Sequence, residues 1–421
     1  MKKLSLAYGS DALPLTFDEE HLQLIASEAK ELTPLSELEI GAAIDSPINS
    51  PSIEEIFSAE DSVLIVVSDA TRATGSAQCV NLLIRRLIQI GVSPTRISII
   101  FATGIHRPVT PEEKVRLLTP FVVQRISTLD HDASDSAKLM DFGVTARGTR
   151  LQLNRALKDF DHVIVIGGIA YHYFAGFTGG RKSICPGLAS SATVEATHIW
   201  AMDFQNGGRR VGVGAGLLEG NLVHEECENI AALINPSFTI STIVDEKGRI
   251  VKLFAGHWRE AHRAACAVYH QHHSVEISET RDLVIAGCGG FPYDINLIQA
   301  HKTLEMASHA CTEGGTIVLV AECRDGLGRA DFLQWFAEPD SRALEHRLSN
   351  SYQVNGQTAW ALLTKAERFR IFLISELDPE AVRQMRMTPG QSLGDVLAQV
   401  PKSARGYVMP RGAASLPVLK H

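Results

Sequence analysis

Four short polar stretches hold most of the residues in this 421-residue chain that could do chemistry, and each follows an element able to aim them. SDATRATG at 68–75 supplies Asp69 and Arg72 directly after VLIVVS. A small-residue loop entering a helix offers free backbone N–H groups to an anion, and a guanidinium adds a fork suited to carboxylate or phosphate. The same residues also make a plain Asp69–Arg72 turn. ATGIHRP at 102–108 sets His106 between a glycine turn and a proline, where an imidazole is better sited for proton transfer than for packing. A lone loop histidine is also ordinary polar surface. GGIAYHYFAGFTGGRKSICPG at 167–187 is the densest stretch, with His172, a glycine-rich loop, Arg181 and Lys182. Glycines let backbone approach a ligand, and a lysine beside another cation and apolar neighbours loses its proton more readily, which suits a nucleophile. ATVEATH at 192–198 is helical and ends in His198, an imidazole of the kind that binds nickel, copper, iron or zinc, or a helix-surface histidine. Farther along, GCGGFPYDINLIQAHK at 287–302 places Gln299 and Lys302 one helical turn apart, aimed together at a ligand or together at solvent.

Two common nucleotide motifs fail. Gly176, Lys182 and Ser183 fit G-x-x-x-x-G-K-[ST], but Arg181 stands where the second glycine is required. GVGAGLLEG at 212–220 has Leu217 or Glu219 where the dinucleotide fingerprint needs its third glycine.

The elements that must position these groups read as strands alternating with helices. VLIVVS (63–68), ISIIFAT (97–103) and HVIVIGG (162–168) form one series; DLVIAG (282–287), TIVLVAE (316–322) and RIFLIS (370–375) form another. Continuous apolar strands separated by helices indicate parallel sheets covered on both faces. Val80, Leu83, Ile84, Leu87 and Ile88 share one helix face, and TPEE at 110–113 gives a threonine cap, a first-turn proline and a capping-box glutamate. A histidine-rich helical stretch over 257–280 separates the series, with His270, His272 and His273 expected at its solvated end. The fold class is therefore α/β, with two α/β domains of mostly parallel sheet and an active-site cleft expected between them. The expected division is 1–278 as the N-terminal domain, rejoined by the tail 405–421, and 279–404 as the C-terminal domain.

The net charge of −8 and the lack of a basic stretch argue against nucleic acid as a partner. Seven scattered cysteines without a C-x-x-C pair are the pattern of reduced thiols. The start, MKKLSLAYGSDALPL, turns polar at once, unlike a secretory signal, and no apolar run is long enough to cross a bilayer, so no membrane partner is expected and the expected location is the cytoplasm.

Taken jointly, DATR, ATGIHRP, a histidine before GFTGGRKSICPG, His198, GNLVHEE at 220–226 and GGFPYDINLIQAHK resemble, in type and order, the nickel-dependent lactate racemase family. The resemblance is diffuse beyond about residue 330. It implies an isomerase that racemises or epimerises a small 2-hydroxy acid by reversible hydride transfer through a 2-keto acid. It also implies a nickel-pincer pyridinium nucleotide joined to Lys182 as a thioamide, with Asp69, Gly179 and Gly180 against the cofactor and His198 as the protein's nickel ligand. His106 and His172 would be the acid–base pair; Arg72, Gln299 and Lys302 would hold substrate; proteins that make the cofactor would be partners in the cell. Asp69 would orient Arg72 or touch the cofactor. Ile298 stands before Gln299 where lactate-acting members commonly carry tyrosine, which implies a more apolar wall and a preferred acid other than lactate. The competing readings are a cofactor-free binding paralogue, disfavoured because Lys182, His198, His106 and His172 are all present, and a phosphate-binding enzyme, weakened by Arg181.

Overall fold

The computed structural model describes residues 1–26 and 32–420. The chain divides into two compact units, one of 29–201 and 210–271, the other of 1–28, 202–209 and 272–421.

The first unit is built on a six-stranded sheet in the order Ile250–Gly256, Phe238–Val244, His162–Gly168, Val63–Ser68, Ile97–Ala102, Ser127–Asp130. Neighbours run parallel throughout except for the first pair, which is antiparallel. Val63–Ser68 is buried at every position, as a central strand covered on both faces must be. The helix Ser76–Ile90 follows it between two left-handed glycines, Gly75 and Gly91, and buries Val80, Leu83, Ile84 and Leu87. Ile88, expected on that face, is exposed. At about 100° per residue it falls roughly a quarter-turn from the centre of the stripe. The helix Pro111–Leu118 carries the expected Thr110–Glu113 capping box.

The second unit is built on another six-stranded sheet, all parallel, in the order Thr388–Gly390, Arg370–Ile374, Cys311–Val320, Arg281–Gly287, Gly406–Met409, Leu22–Leu24. This corrects the expected division. The tail does not rejoin the first unit: Gly406–Met409 pairs with Arg281–Gly287, and Leu416–Leu419 pairs with Ser274–Ile277. The first 26 residues also belong here. Leu22–Leu24 extends the sheet edge, and the hairpin Lys2–Tyr8/Asp11–Phe17 sends Leu6, Leu15 and Phe17 into this unit's core with Leu283, Ile285 and Val318. A short strand's own pattern says that it is a strand; which sheet edge offers it unpaired N–H and C=O groups is settled elsewhere in the chain. His273, expected at a solvated helix end, is buried with Nδ1 2.8 Å from the Ala414 carbonyl oxygen, because that tail packs over it.

The helix Leu297–Ser308, capped by the Asn296 side chain, carries Gln299 and Lys302 at its start and Glu305 toward its end. The buried Glu305 carboxylate binds both Lys365 and Arg209, the latter at 3.1 Å from Nη2. Burial alone would raise this carboxyl, but the two cations hold it well below the usual range. Removing one member of such a buried network typically costs about 3–5 kcal/mol. Glu305→Ala should therefore destabilise the unit by about that much in urea denaturation, with Glu305→Gln less damaging. A loss under about 1 kcal/mol would show that the helix is held by packing instead.

Candidate active site

Because Val63–Ser68 and Ile97–Ala102 are parallel neighbours with Ser68 opposite Ala102, the loops leaving them begin side by side. Asp69 Oδ2 lies 2.7 Å from His106 Nδ1, while Oδ1 accepts from the Thr71 hydroxyl at 2.6 Å and the Thr71 N–H at 3.1 Å. Asp69 is buried and His106 is exposed. Burial pushes the Asp69 carboxyl up, but the hydrogen bond and charge of His106, the Thr71 hydroxyl and the charge of Arg72 outweigh it and hold the group at about 2. Arg72 is half-buried, touches Asp69 only through its backbone N–H at 3.4 Å, and makes no ion pair among the described residues.

The strand His162–Gly168 leads into the dense stretch. Tyr171–His172 pairs antiparallel with Gly176–Phe177, and Gly180–Ser183 forms a single 3-10 turn. Gly179 and Gly180 both have positive φ, and a Cβ there would come within 2.9 Å of the Ile169 side chain or 2.6 Å of His262. These two glycines let the loop close on its own protein; no ligand approach is needed to explain them. Arg181, fully buried, donates to the carbonyls of Ala175 (2.7 Å), Thr178 (3.3 Å) and Gly179 (3.4 Å), and to His262 Nε2 at 2.9 Å. An arginine only donates, so His262 accepts through Nε2, and burial beside that guanidinium holds its imidazole neutral. The arginine is thus the loop's internal clamp.

Lys182 is 7% exposed and makes no ion pair among the described residues. Its Nζ lies 5.2 Å from the centre of the Phe174 ring. Burial lowers its ammonium well below the ordinary value; Cys227 pulls the other way, the charges of Arg72 and Arg181 add to the lowering, and Cys185 opposes it last. The amine therefore gives up its proton more readily than an ordinary lysine, which favours its nucleophilic form.

Phe174 gathers the remaining groups. Its ring centre is 4.4 Å from that of His172 and 4.9 Å from that of His198, both edge-on. Asn221 fixes it in place: the side-chain amide donates to the Phe174 carbonyl at 3.0 Å while its oxygen caps the helix Leu222–Ile234. That gives the GNLVHEE stretch a structural part. His172 is buried and accepts the Ala175 N–H at Nδ1, at 3.4 Å. His198 closes the helix Ser191–His198. Burial and the Lys182 charge bring it down to about 3, so it is neutral, the form that ligates metals.

Asp69, Arg72, His106, His172, Lys182 and His198 thus lie in the first unit, with the charge of Arg72 acting on both Asp69 and Lys182. Gln299 and Lys302 lie in the second, where Lys302 Nζ donates to Gln299 Oε1. Among the described residues no group of three or more His, Cys, Asp or Glu is arranged to hold a metal ion, so His198 is a single imidazole donor. All seven cysteines are free and buried. Sequence reasoning missed Asp69 as the partner of His106, Phe174 as the hub, and Arg181 as the clamp. The first had a signal: residues just past the ends of adjacent parallel strands converge.

Residues 8–208 match the lactate racemase N-terminal domain and 277–412 the lactate racemase C-terminal domain. The chain is 30% identical over 425 residues to a lactate racemase of Lactiplantibacillus plantarum, covering 98% of this chain and 99% of that protein. It is 29% identical over 411 residues to a lactate racemase of Thermoanaerobacterium thermosaccharolyticum, covering 94% of each. The structure of the lactate racemase apoprotein from the latter organism matches with a TM-score of 0.90 at 26% identity, covering 100% of both chains. A Thermotoga maritima protein with a TM-score of 0.72 and 18% identity, covering 92% of this chain and 99% of its own, shares the fold.

The Asp69 pairing has a pH signature. A carboxyl held near 2 instead of its ordinary 3.8 contributes about 2 kcal/mol of stability. Since the folded-state value is the lower one, that contribution is present above about pH 4 and is lost as the pH falls toward about 2. Asp69→Asn should lower stability near neutral pH by about this amount and flatten the acid limb of a urea-stability profile. An unchanged limb would show that the carboxyl is not held there.

Proposed function

This chain belongs to the lactate racemase family, and we propose that it interconverts the enantiomers of lactate or a closely related 2-hydroxy acid, using a nickel-pincer pyridinium nucleotide anchored on Lys182. The observation that carries this reading is the buried Lys182 amine, without a carboxylate partner and beside a neutral imidazole. The residues fit such a group. A neutral amine can form the covalent link, and His198 can offer one nitrogen to a metal whose other donors the nucleotide brings. When bound, that group supplies a hydride acceptor, which spares the protein from removing a weakly acidic α-hydrogen as a proton.

The chain's own residues then have separable tasks. The Asp69 carboxylate beside His106 Nδ1 keeps a hydrogen on that nitrogen, which leaves Nε2 to accept the substrate hydroxyl proton. His172 Nδ1 already accepts a backbone N–H, so a neutral ring carries its hydrogen on Nε2 and can donate it. His106 and His172 thus each turn Nδ1 to a local partner and offer Nε2 to the reaction. Arg72 supplies a fork for the substrate carboxylate. Gln299 and Lys302 enter as substrate-binding residues on the family resemblance. Ile298, half-buried ahead of them, supports a more apolar wall than a tyrosine would give. No helix among the described residues is long and apolar enough to cross a membrane, and the reading places the protein in the cytoplasm with the proteins that make its cofactor.

Expressed together with those proteins, the purified chain should show a covalent adduct in its intact mass, absent in Lys182→Ala, and bound nickel that drops sharply in His198→Ala while the adduct persists. An adduct mapping to another residue would overturn the anchor.

The loaded protein should turn either pure enantiomer of a 2-hydroxy acid into the racemate, followed by chiral chromatography with lactate, malate, 2-hydroxybutyrate, phenyllactate and a sugar acid. His106→Ala and His172→Ala should keep adduct and nickel yet lose about a hundred- to ten-thousand-fold in turnover. Near-full activity in either variant, in both directions, would remove that histidine from the pair.

A further inference from the structure

Thr197, one residue before His198, has no part in the proposal above and is fully buried. Its Oγ1 lies 2.9 Å from the Val194 carbonyl oxygen, 3.2 Å from His198 Nδ1 and 3.9 Å from the Cys185 sulfur. A hydroxyl has one hydrogen and two acceptor lone pairs. The carbonyl can only accept, and it is the nearest of the three, so the hydroxyl hydrogen goes there, the back-bond a helical threonine commonly makes. One remaining lone pair faces Nδ1, and the other can take the Cys185 thiol hydrogen. An acceptor facing Nδ1 requires a hydrogen on Nδ1. An uncharged imidazole has a single N–H, so with that hydrogen on Nδ1 its Nε2 is left as a bare lone pair.

We infer that Thr197 is a positioning residue for His198, whose hydroxyl fixes the ring as the Nδ1–H tautomer and so presents Nε2 as the ligating atom. Metal-binding histidines commonly donate their other N–H to an acceptor that locks the ring, and here the hydroxyl of the preceding residue takes that part. The Val194 carbonyl also favours a hydrogen on the ring nitrogen that faces it, and the hydroxyl adds an acceptor at Nδ1. The reverse arrangement, with Thr197 donating to Nδ1, would put the ring hydrogen on Nε2 and block the metal. The inference rests on His198 being the nickel ligand.

The test separates the two. In the apoprotein with 15N-labelled histidine, long-range 1H–15N spectra report the tautomer with no metal present, and His198→Ala identifies the His198 signals. The wild type and Thr197→Ser should show hydrogen on Nδ1 and none on Nε2. Thr197→Val, of nearly the same shape but without the hydroxyl, should show hydrogen on Nε2 or exchange between the nitrogens. A wild-type ring protonated at Nε2 overturns the inference, as does an unchanged tautomer in Thr197→Val; the first needs no variant to fold. In the loaded enzyme, nickel affinity against a chelator should fall about 10–100-fold in Thr197→Val and recover in Thr197→Ser. Full nickel retention in His198→Ala would sink the ligand assignment while leaving the tautomer result standing. Nickel lost in His198→Ala with an unchanged tautomer in Thr197→Val would sink the Thr197 inference alone.

Discussion

The candidate site depends on keeping the Lys182 amine out of water with no carboxylate beside it. An ammonium moved into such surroundings sheds its proton because the isolated charge is too costly to bury, and the neutral amine that remains can form a covalent bond. The condition is easily lost in a chain of net charge −8, since one aspartate at that spot would make an ion pair and restore the ammonium. The fold avoids this with a second cation that asks for no anion. Arg181 directs its hydrogen bonds to three backbone carbonyls and a neutral histidine, so it clamps the loop that carries Lys182 without recruiting a carboxylate.

Around that amine the electrostatics divide into two regimes. On the buried side burial lowers both Lys182 and His198, and the Lys182 charge adds to the lowering of His198. At the strand ends of the same unit Asp69 is firmly ionised and holds a solvent-facing histidine. Arg72 acts on both. Environments that push titratable groups apart let one unit hold a lowered amine, a lowered imidazole and an ionised carboxylate at a single pH.

The second unit solves the opposite problem. Its buried charges are paired: Glu305 takes Arg209 and Lys365 at once, on the helix that begins with Gln299 and Lys302. Paired buried ions add little net stability over apolar packing, but they fix partners, because breaking the set leaves charges stranded. The start of that helix is fixed separately by the Asn296 side chain, which accepts from the Gln299 N–H at 3.0 Å.

The sequence by itself determined the parts that local pattern encodes. Continuous apolar runs marked the central strands, Thr110 and Glu113 marked a helix start, and the types and order of Asp69, Arg72, His106, His172, Lys182 and His198 marked the chemistry. Their local surroundings follow from a few neighbouring residues and the periods of strand and helix. Only the tertiary structure decided who meets whom. Asp69 meets His106 because two strands distant in sequence lie in register. Leu22–Leu24 and Gly406–Met409 joined the second sheet because Arg281–Gly287 and then Gly406–Met409 offered them partners. Gly179 and Gly180 answered to Ile169 and His262, which no spacing within the loop could reveal. In each case the deciding contact joins elements that the chain brings together only when its sheets close, and an identity at one position carries no record of what will face it.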